Sequence, residues 1–182
     1  MENKISFKEF KPAIFFILKF LGVYLVGSVF YGFFITHYEP RPDPVTVWVT
    51  EQVSGILNRI DPPVTTFIDM VKPTVKVMQK VSVLSVFEGC NGLNVVIVFL
   101  AFLVAYGPLN KKLLWFIPLG ILMIHISNLF RIGILFFVSK NYPHQLYFLH
   151  KYFFTAFIYV VVFALWFWWV RIAQRKQHVK QV

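Results

Sequence analysis

Four stretches of this chain are too long and too apolar to lie free in water. A membrane-spanning helix needs about 20 mostly apolar residues. Residues 13–35, 91–109, 113–138 and 152–170 each meet that requirement. The first is interrupted only by Lys19, which can snorkel its charge to the nearer interface. That run begins with a basic flank, as a secretory signal does. Its length exceeds the roughly 7–15 residues of a signal core, and no small-residue cleavage site follows. It reads as an uncleaved anchor. The expected fold is an all-α membrane protein of one domain, residues 1–182, with four transmembrane helices. A small extracytoplasmic α/β insert, residues 36–90, separates the first span from the second. Composition agrees: 58% of the chain is hydrophobic and 14% charged, against about 45–50% and about 25% in soluble domains.

The net charge of +10 invites a nucleic-acid reading. The placement of the charge argues against it. Lys4, Lys8 and Lys11 precede the first run, Lys111 and Lys112 sit between the second and third, and Arg171, Arg175, Lys176 and Lys180 follow the fourth. Basic residues in short flanks mark the cytoplasmic side. Both termini and the Lys111-Lys112 turn are therefore expected in the cytoplasm, with 36–90 and 139–151 facing outward. For a bacterial inner membrane, outward is the periplasm. Trp166, Trp168 and Trp169 then suit an inner aromatic anchor, and Tyr142, Tyr147 and Tyr152 an outer one. No nucleic-acid partner is expected.

The insert opens with Glu39-Pro40-Arg41-Pro42-Asp43-Pro44, whose prolines exclude a helix interior. Val45, Val49, Val53, Ile56, Leu57 and Ile60 recur at helical spacing and predict a short amphipathic helix against the bilayer or the bundle. Asp61-Pro62-Pro63 ends it. Residues 64–88 alternate at Val75/Val77 and Val81/Val83, which predicts a small β-hairpin whose second strand runs into Cys90. A helix over 64–80 stays open as the alternative.

Residues 89–182 contain nine Lys/Arg and no Asp or Glu. No triad with an acid, and no carboxylate pair, can be built there. The single cysteine excludes an intrachain disulfide and a Cys-based zinc site. No metal or cofactor is expected. What remains is a set of three residues that the topology places in one outer layer. Cys90 stands at the head of the second span, where a helix N-terminus lowers a thiol pKa. The competing reading of a lone cysteine is a small buried hydrophobe. Arg131 lies seven residues below the outer end of the third span, about 10 Å deep. An ionisable residue at that depth is a functional hypothesis by default. His150 stands at the entrance of the fourth span and can carry a proton near neutral pH. His144 competes with it from the same loop. His125, nearer mid-span, suits a hydrogen-bonded packing role. Asn128, three residues before Arg131, suits orienting it or bonding a neighbouring helix. Glu88 either pairs with Arg131 or His150 or stays solvated. Gly89 and Gly92 flank the cysteine and let backbone N–H groups approach a reacting carbonyl, and Asn91 completes the turn.

Cys90-Asn91-Gly92-Leu93, Asn128-Leu129-Phe130-Arg131-Ile132, and His150 at the head of the last span together resemble the exosortase/archaeosortase family of membrane cysteine transpeptidases. The resemblance covers roughly residues 80–170. The short chain is similar to the compact exosortase F-like subfamily. It implies Cys90 as nucleophile, His150 as acid/base and Arg131 as oxyanion stabiliser; the reading of the residues adds Asn91, Gly92, Asn128 and Glu88 in support. It also implies, as substrates, secreted proteins with a C-terminal tail helix, passed through a thioester to an acceptor of unstated identity or to water. Membrane lipids are the surrounding partners. Two other readings compete: a non-enzymatic membrane scaffold or assembly partner, and a membrane protein that handles anionic lipid through Arg131.

Overall fold

A computed structural model of the chain describes residues 7–69, 71–107 and 111–179, with side chains over 10–69, 71–107 and 111–174. Lys4 and Lys180 lie outside the described residues, as do the side chains of Lys8, Arg175 and Lys176. Helix α1 (Phe7–Tyr38) is followed by α2 (Pro44–Ile60) and by strands β1 (Thr65–Asp69), β2 (Thr74–Met78) and β3 (Ser82–Phe87). Helices α3 (Leu93–Tyr106) and α4 (Lys111–Asn141) come next. After a 3-10 turn, Pro143–Gln145, and one α-helical turn, α5 (Leu146–Phe148), the π-helical turn Leu149–Phe153 leads into α6 (Phe154–Val179).

Three stretches are long and apolar enough to cross a membrane: Phe10–Tyr38, Lys111–Asn141 and Pro143–Gln174. The span expected at 91–109 is realised as α3, an apolar helix of 14 residues, about 21 Å long at 1.5 Å per residue. α3 packs along α1 so closely that a Cβ on Gly27 would lie 2.8 Å from Ile97 Cγ2. It meets α4 as tightly, because a Cβ on Gly120 would lie 2.1 Å from the Phe99 ring. Small residues let helix backbones approach where lipid offers no hydrophobic driving force. Phe99, Phe116, Ile124, Val162 and Trp169 fill the lower core.

The aromatic anchor expected at the inner interface is only partly exposed. Trp169 is buried against Phe116, and Trp166 stacks on Phe102 at 4.3 Å between ring centroids. Trp168 is the exposed member. A cluster of tryptophans at a helix end serves either as a belt or as packing, and here two of the three pack.

The insert is α2 and a three-stranded antiparallel sheet in the order β1-β2-β3. Asp43 caps α2 by accepting from the Val45 and Thr46 amides at 2.9 and 3.0 Å, with Pro44 in the first turn. The helix buries Val49, Val53 and Leu57, while Ile56 and Ile60 stay exposed. The predicted hairpin is a sheet with one strand more. Thr65–Asp69 is β1, held by pairs such as Thr66↔Val77, so the helical alternative for 64–80 falls. Val75, Val77 and Val86 point inward.

This layer packs on the C-terminal part of α4. Ile132 and Phe136 share a core with Val53, Leu57, Val77 and Val86. The Ser139 hydroxyl donates to the Val83 carbonyl, and Lys140 pairs with Asp61. Helix α4 above Arg131 is thus clothed by protein, where the sequence alone suggested lipid.

Gly120→Ala is expected to lower the melting temperature of detergent-purified protein, since overpacking typically costs about 1–3 kcal/mol. Adding Phe99→Leu should recover most of the loss.

Candidate active site

Strand β3 delivers the chain into a 3-10 turn, Glu88–Cys90, then Asn91, then Gly92 at φ +87°, where α3 begins. That left-handed conformation suits glycine. Each end of the turn is bolted to a different helix. The Tyr31 hydroxyl on α1 donates to the Glu88 carbonyl at 2.9 Å. The Asn128 amide on α4 donates to the Cys90 carbonyl at 2.8 Å. Asn91 joins the remaining elements. Its Oδ1 accepts from the Leu93 amide at 2.9 Å and so caps α3. Its Nδ2 reaches the Tyr31 and Thr46 hydroxyls at 3.2 and 3.3 Å and Asp43 Oδ2 at 3.5 Å. Asp43 and Thr46 are themselves buried and joined to each other.

The Cys90 side chain faces α4 and the start of the last helix. Cys90 Sγ lies 3.5 Å from His150 Nε2, and Arg131 Nη2 lies 3.4 Å from the same nitrogen. His150 sits within the five-residue π turn. Such a turn carries one residue more than an α-helix does and is frequent at functional sites. His144, in the preceding 3-10 turn, is exposed, so His150 is the histidine at the sulfur.

Cys90 is 5% exposed, Asn128 1% and Arg131 8%. The Arg131 Nε is buried with no hydrogen-bond partner. Among the described residues the ion pairs are Lys76–Asp69 and Lys140–Asp61. Glu88 therefore pairs with neither Arg131 nor His150, and its hydrogen-bonded contribution to the site is its main-chain carbonyl. Phe87 forms the roof. Its ring packs over Gly89, where a Cβ would lie 2.6 Å away, and stands 6.3 Å from the His150 ring.

The helix-lowered thiol expected from the sequence is outweighed. Burial pushes the Cys90 pKa up. The Arg131 charge and a main-chain hydrogen bond from Phe87 pull it back only in part, and Glu88 adds to the rise. The resting form is the thiol. His125 is held as its sequence position suggests, 2.9 Å from Gln52 Oε1 and stacked on Trp48.

Tyr31, Asp43 and Thr46 do not stand out in the sequence reading. Asp43-Pro44 is a helix-start signal, an N-cap followed by proline, and it could have been weighed as more than a turn. Tyr31 carries no signal, because one phenol in a long apolar run is unremarkable.

Taken together, these elements define an integral membrane protein with a buried cysteine–histidine–arginine cluster where a bundle meets its insert. The family model for transmembrane exosortases (Exosortase_EpsH) matches residues 10–169. The chain belongs to the transmembrane exosortase family, whose members are in general cysteine transpeptidases. No curated protein and no solved structure matches it.

Iodoacetamide reads one site, because Cys90 is the single cysteine. Its alkylation rate should rise with pH with a midpoint above the ordinary thiol value of about 8.5. Arg131→Gln removes a charge that favours the thiolate, so the midpoint should move higher still. A midpoint below neutrality would show instead a resting thiolate.

Proposed function

We propose that the protein is a membrane-interface cysteine protease/transpeptidase that cleaves C-terminal sorting tails of secreted proteins and passes them to an acceptor. The observation that carries this reading is the meeting of Sγ and a guanidinium nitrogen at one imidazole nitrogen, at 3.5 and 3.4 Å. In this reading α3 and its flanking residues complete four crossings of the bacterial inner membrane. The Lys/Arg bias of the flanks supports cytoplasmic termini and an outward-facing site. The short chain and the Gly-Cys-Asn-Gly-Leu form of the Cys90 turn support reading it as exosortase F-like.

The chemistry follows from donor and acceptor roles. A guanidinium only donates. With Arg131 directed at Nε2, that nitrogen is the acceptor and the imidazole proton sits on Nδ1. Nε2 therefore carries the lone pair that takes the thiol proton, in exchange for the bond from Arg131. The Cys90 thiolate attacks the carbonyl carbon of the scissile peptide, and the carbonyl oxygen becomes an oxyanion. Once protonated, Nε2 no longer accepts from Arg131, and the released guanidinium N–H turns to the oxyanion. The unpartnered Nε is a second donor for it. A buried unsatisfied donor costs about 1–3 kcal/mol, and an oxygen of the reacting group satisfies it. Collapse breaks the C–N bond. His150 returns the proton to the leaving amine, and the acyl group stays on sulfur as a thioester. An amine, hydroxyl or water, deprotonated by His150, then attacks the thioester. The C–S bond breaks, and the sulfur regains its proton from His150.

The buried thiol fits this order of events. A neutral resting pair needs no permanent counter-charge in an apolar site, and Arg131 is held for the anions that form only during reaction.

In its native cells, Cys90→Ala should leave protein abundance unchanged and abolish processing. Mass spectrometry of tailed secreted proteins should then find their C-terminal helices retained. Normal processing in those cells would favour a scaffold. Tolerance of Cys90→Ala combined with sensitivity at Arg131 would favour lipid handling.

A further inference from the structure

Helix α3 has one face that is covered at its lower end and open at its upper end. Asn94 and Ala101 stand seven residues apart on that helix and project within about 20° of each other. Ala101 is 0% exposed, whereas Asn94 is exposed. Three contacts identify the neighbours around the helix. Ile97 meets Gly27 of α1, Phe99 meets Gly120 of α4, and Phe102 stacks on Trp166 of α6. At about 100° per residue, Asn94 projects about 60° from Ile97 and about 80° from Phe102, on the arc between them and away from Phe99. Asn94 thus looks out between α1 and α6.

Those two helices converge below it. Phe20 of α1 and Trp166 of α6 meet at 6.5 Å between ring centroids, and Phe16 reaches Phe102 at 5.6 Å. Higher up, α1 lies on the Ile97 side of α3 and is tied at Tyr31 to the Cys90 turn. The last helix starts beside His150, at the cysteine sulfur. The result is a cleft closed at the aromatic cluster, floored by α3, and open at the end that carries Cys90. Tyr159 stands seven residues before Trp166, on the same face of α6, and is 44% exposed.

Asn94 is chemically out of place in this cleft. It stands in the first turn of an apolar helix, four residues after Cys90. Neither its amide nor the Tyr159 hydroxyl has a hydrogen-bond partner among the described residues. Lipid tails supply no donor or acceptor, so polar side chains at this depth are satisfied by a neighbouring helix. The start of a helix is the complementary partner, because its first four N–H groups have no acceptor of their own.

We propose that the tail helix of the substrate seats in this cleft, its first turn against Asn94 and Tyr159 and the peptide before it at Cys90. The proposal rests on the proposed function and adds where the tail is held. The direction agrees, since α3 runs from the Cys90 turn toward Lys111 and a tail entering the bilayer from its cleavage point runs parallel to it.

The probe is the tailed protein that accumulates uncleaved when Cys90→Ala replaces the wild type. If none accumulates, the functional reading fails and this proposal fails with it. Asn94→Leu removes the acceptor at an exposed position. Processing of the probe is expected to fall at least tenfold, while iodoacetamide labelling of Cys90 and membrane abundance stay within twofold of wild type. Asn94→Gln keeps an acceptor and should restore most of the processing. Processing by Asn94→Leu within twofold of wild type overturns the cleft proposal and leaves the functional reading standing.

A second measurement does not depend on activity. In the Cys90→Ala background, Asn94→Cys, Tyr159→Cys and Leu122→Cys are each paired with single cysteines along the first turns of the probe's tail. Leu122 is exposed on α4, outside the cleft. Oxidation is expected to give disulfides from Asn94→Cys and Tyr159→Cys, at tail positions recurring every three to four residues. Equal yield from Leu122→Cys, disulfides only between two copies of this chain, or none at all overturns the proposal.

Discussion

One side-chain amide, that of Asn91, ties three helices to the turn that carries the cysteine. Its Oδ1 caps α3, and its Nδ2 reaches Tyr31 on α1 and Asp43 and Thr46 at the start of α2. The amide is 5% exposed in a predominantly apolar bundle. There each unpaired polar group costs free energy comparable to a lost hydrogen bond, so these partners act as a set. The consequence is positional. The turn cannot shift toward one helix without breaking its bonds to another, and Asn128 fixes its far end from α4.

The same apolar setting explains the treatment of charge. Arg131 is buried in a half of the chain that lacks acidic residues. A carboxylate beside it would neutralise the guanidinium and spend its attraction on a permanent partner. Left without one, its attraction is available to a negative charge beside Cys90, as the proposed mechanism requires. Asp43 is also buried, yet it is bound up with an N-cap and the Thr46 hydroxyl. Cation and anion are thus kept in separate networks on the two sides of the turn.

How much of this is written in the sequence depends on how strong each physical signal is. The long helices are legible because twenty consecutive apolar residues have few fates. Cys90, Arg131 and His150 are legible because each is chemically out of place where it stands. Their mutual distances are not, because those depend on a π turn and a 3-10 turn that leave no compositional mark. Strand β1 is missed because Thr65–Asp69 is short and lacks an alternating pattern; its burial follows the sheet rather than the local sequence. Of the three tryptophans, Trp166 and Trp169 pack inside while Trp168 is exposed, and the sequence does not tell these apart because an interfacial belt and a packed helix end use the same residues. Tyr31 is invisible because its partner is nearly sixty residues away.

Helix α4 has a length that no bilayer requires. From Lys111 to Arg131 it rises about 30 Å, the thickness of a hydrocarbon core. It then continues to Asn141 inside the insert. The helix acts as a ruler whose zero mark is the basic pair at its foot. Adding or removing a residue below Arg131 would change the height of the guanidinium and rotate it about the axis by about 100°. The insert, fastened at Ser139 and Lys140, would be carried along. The vertical address of the whole cysteine–histidine–arginine layer is therefore encoded in one helix, which runs on through Pro118.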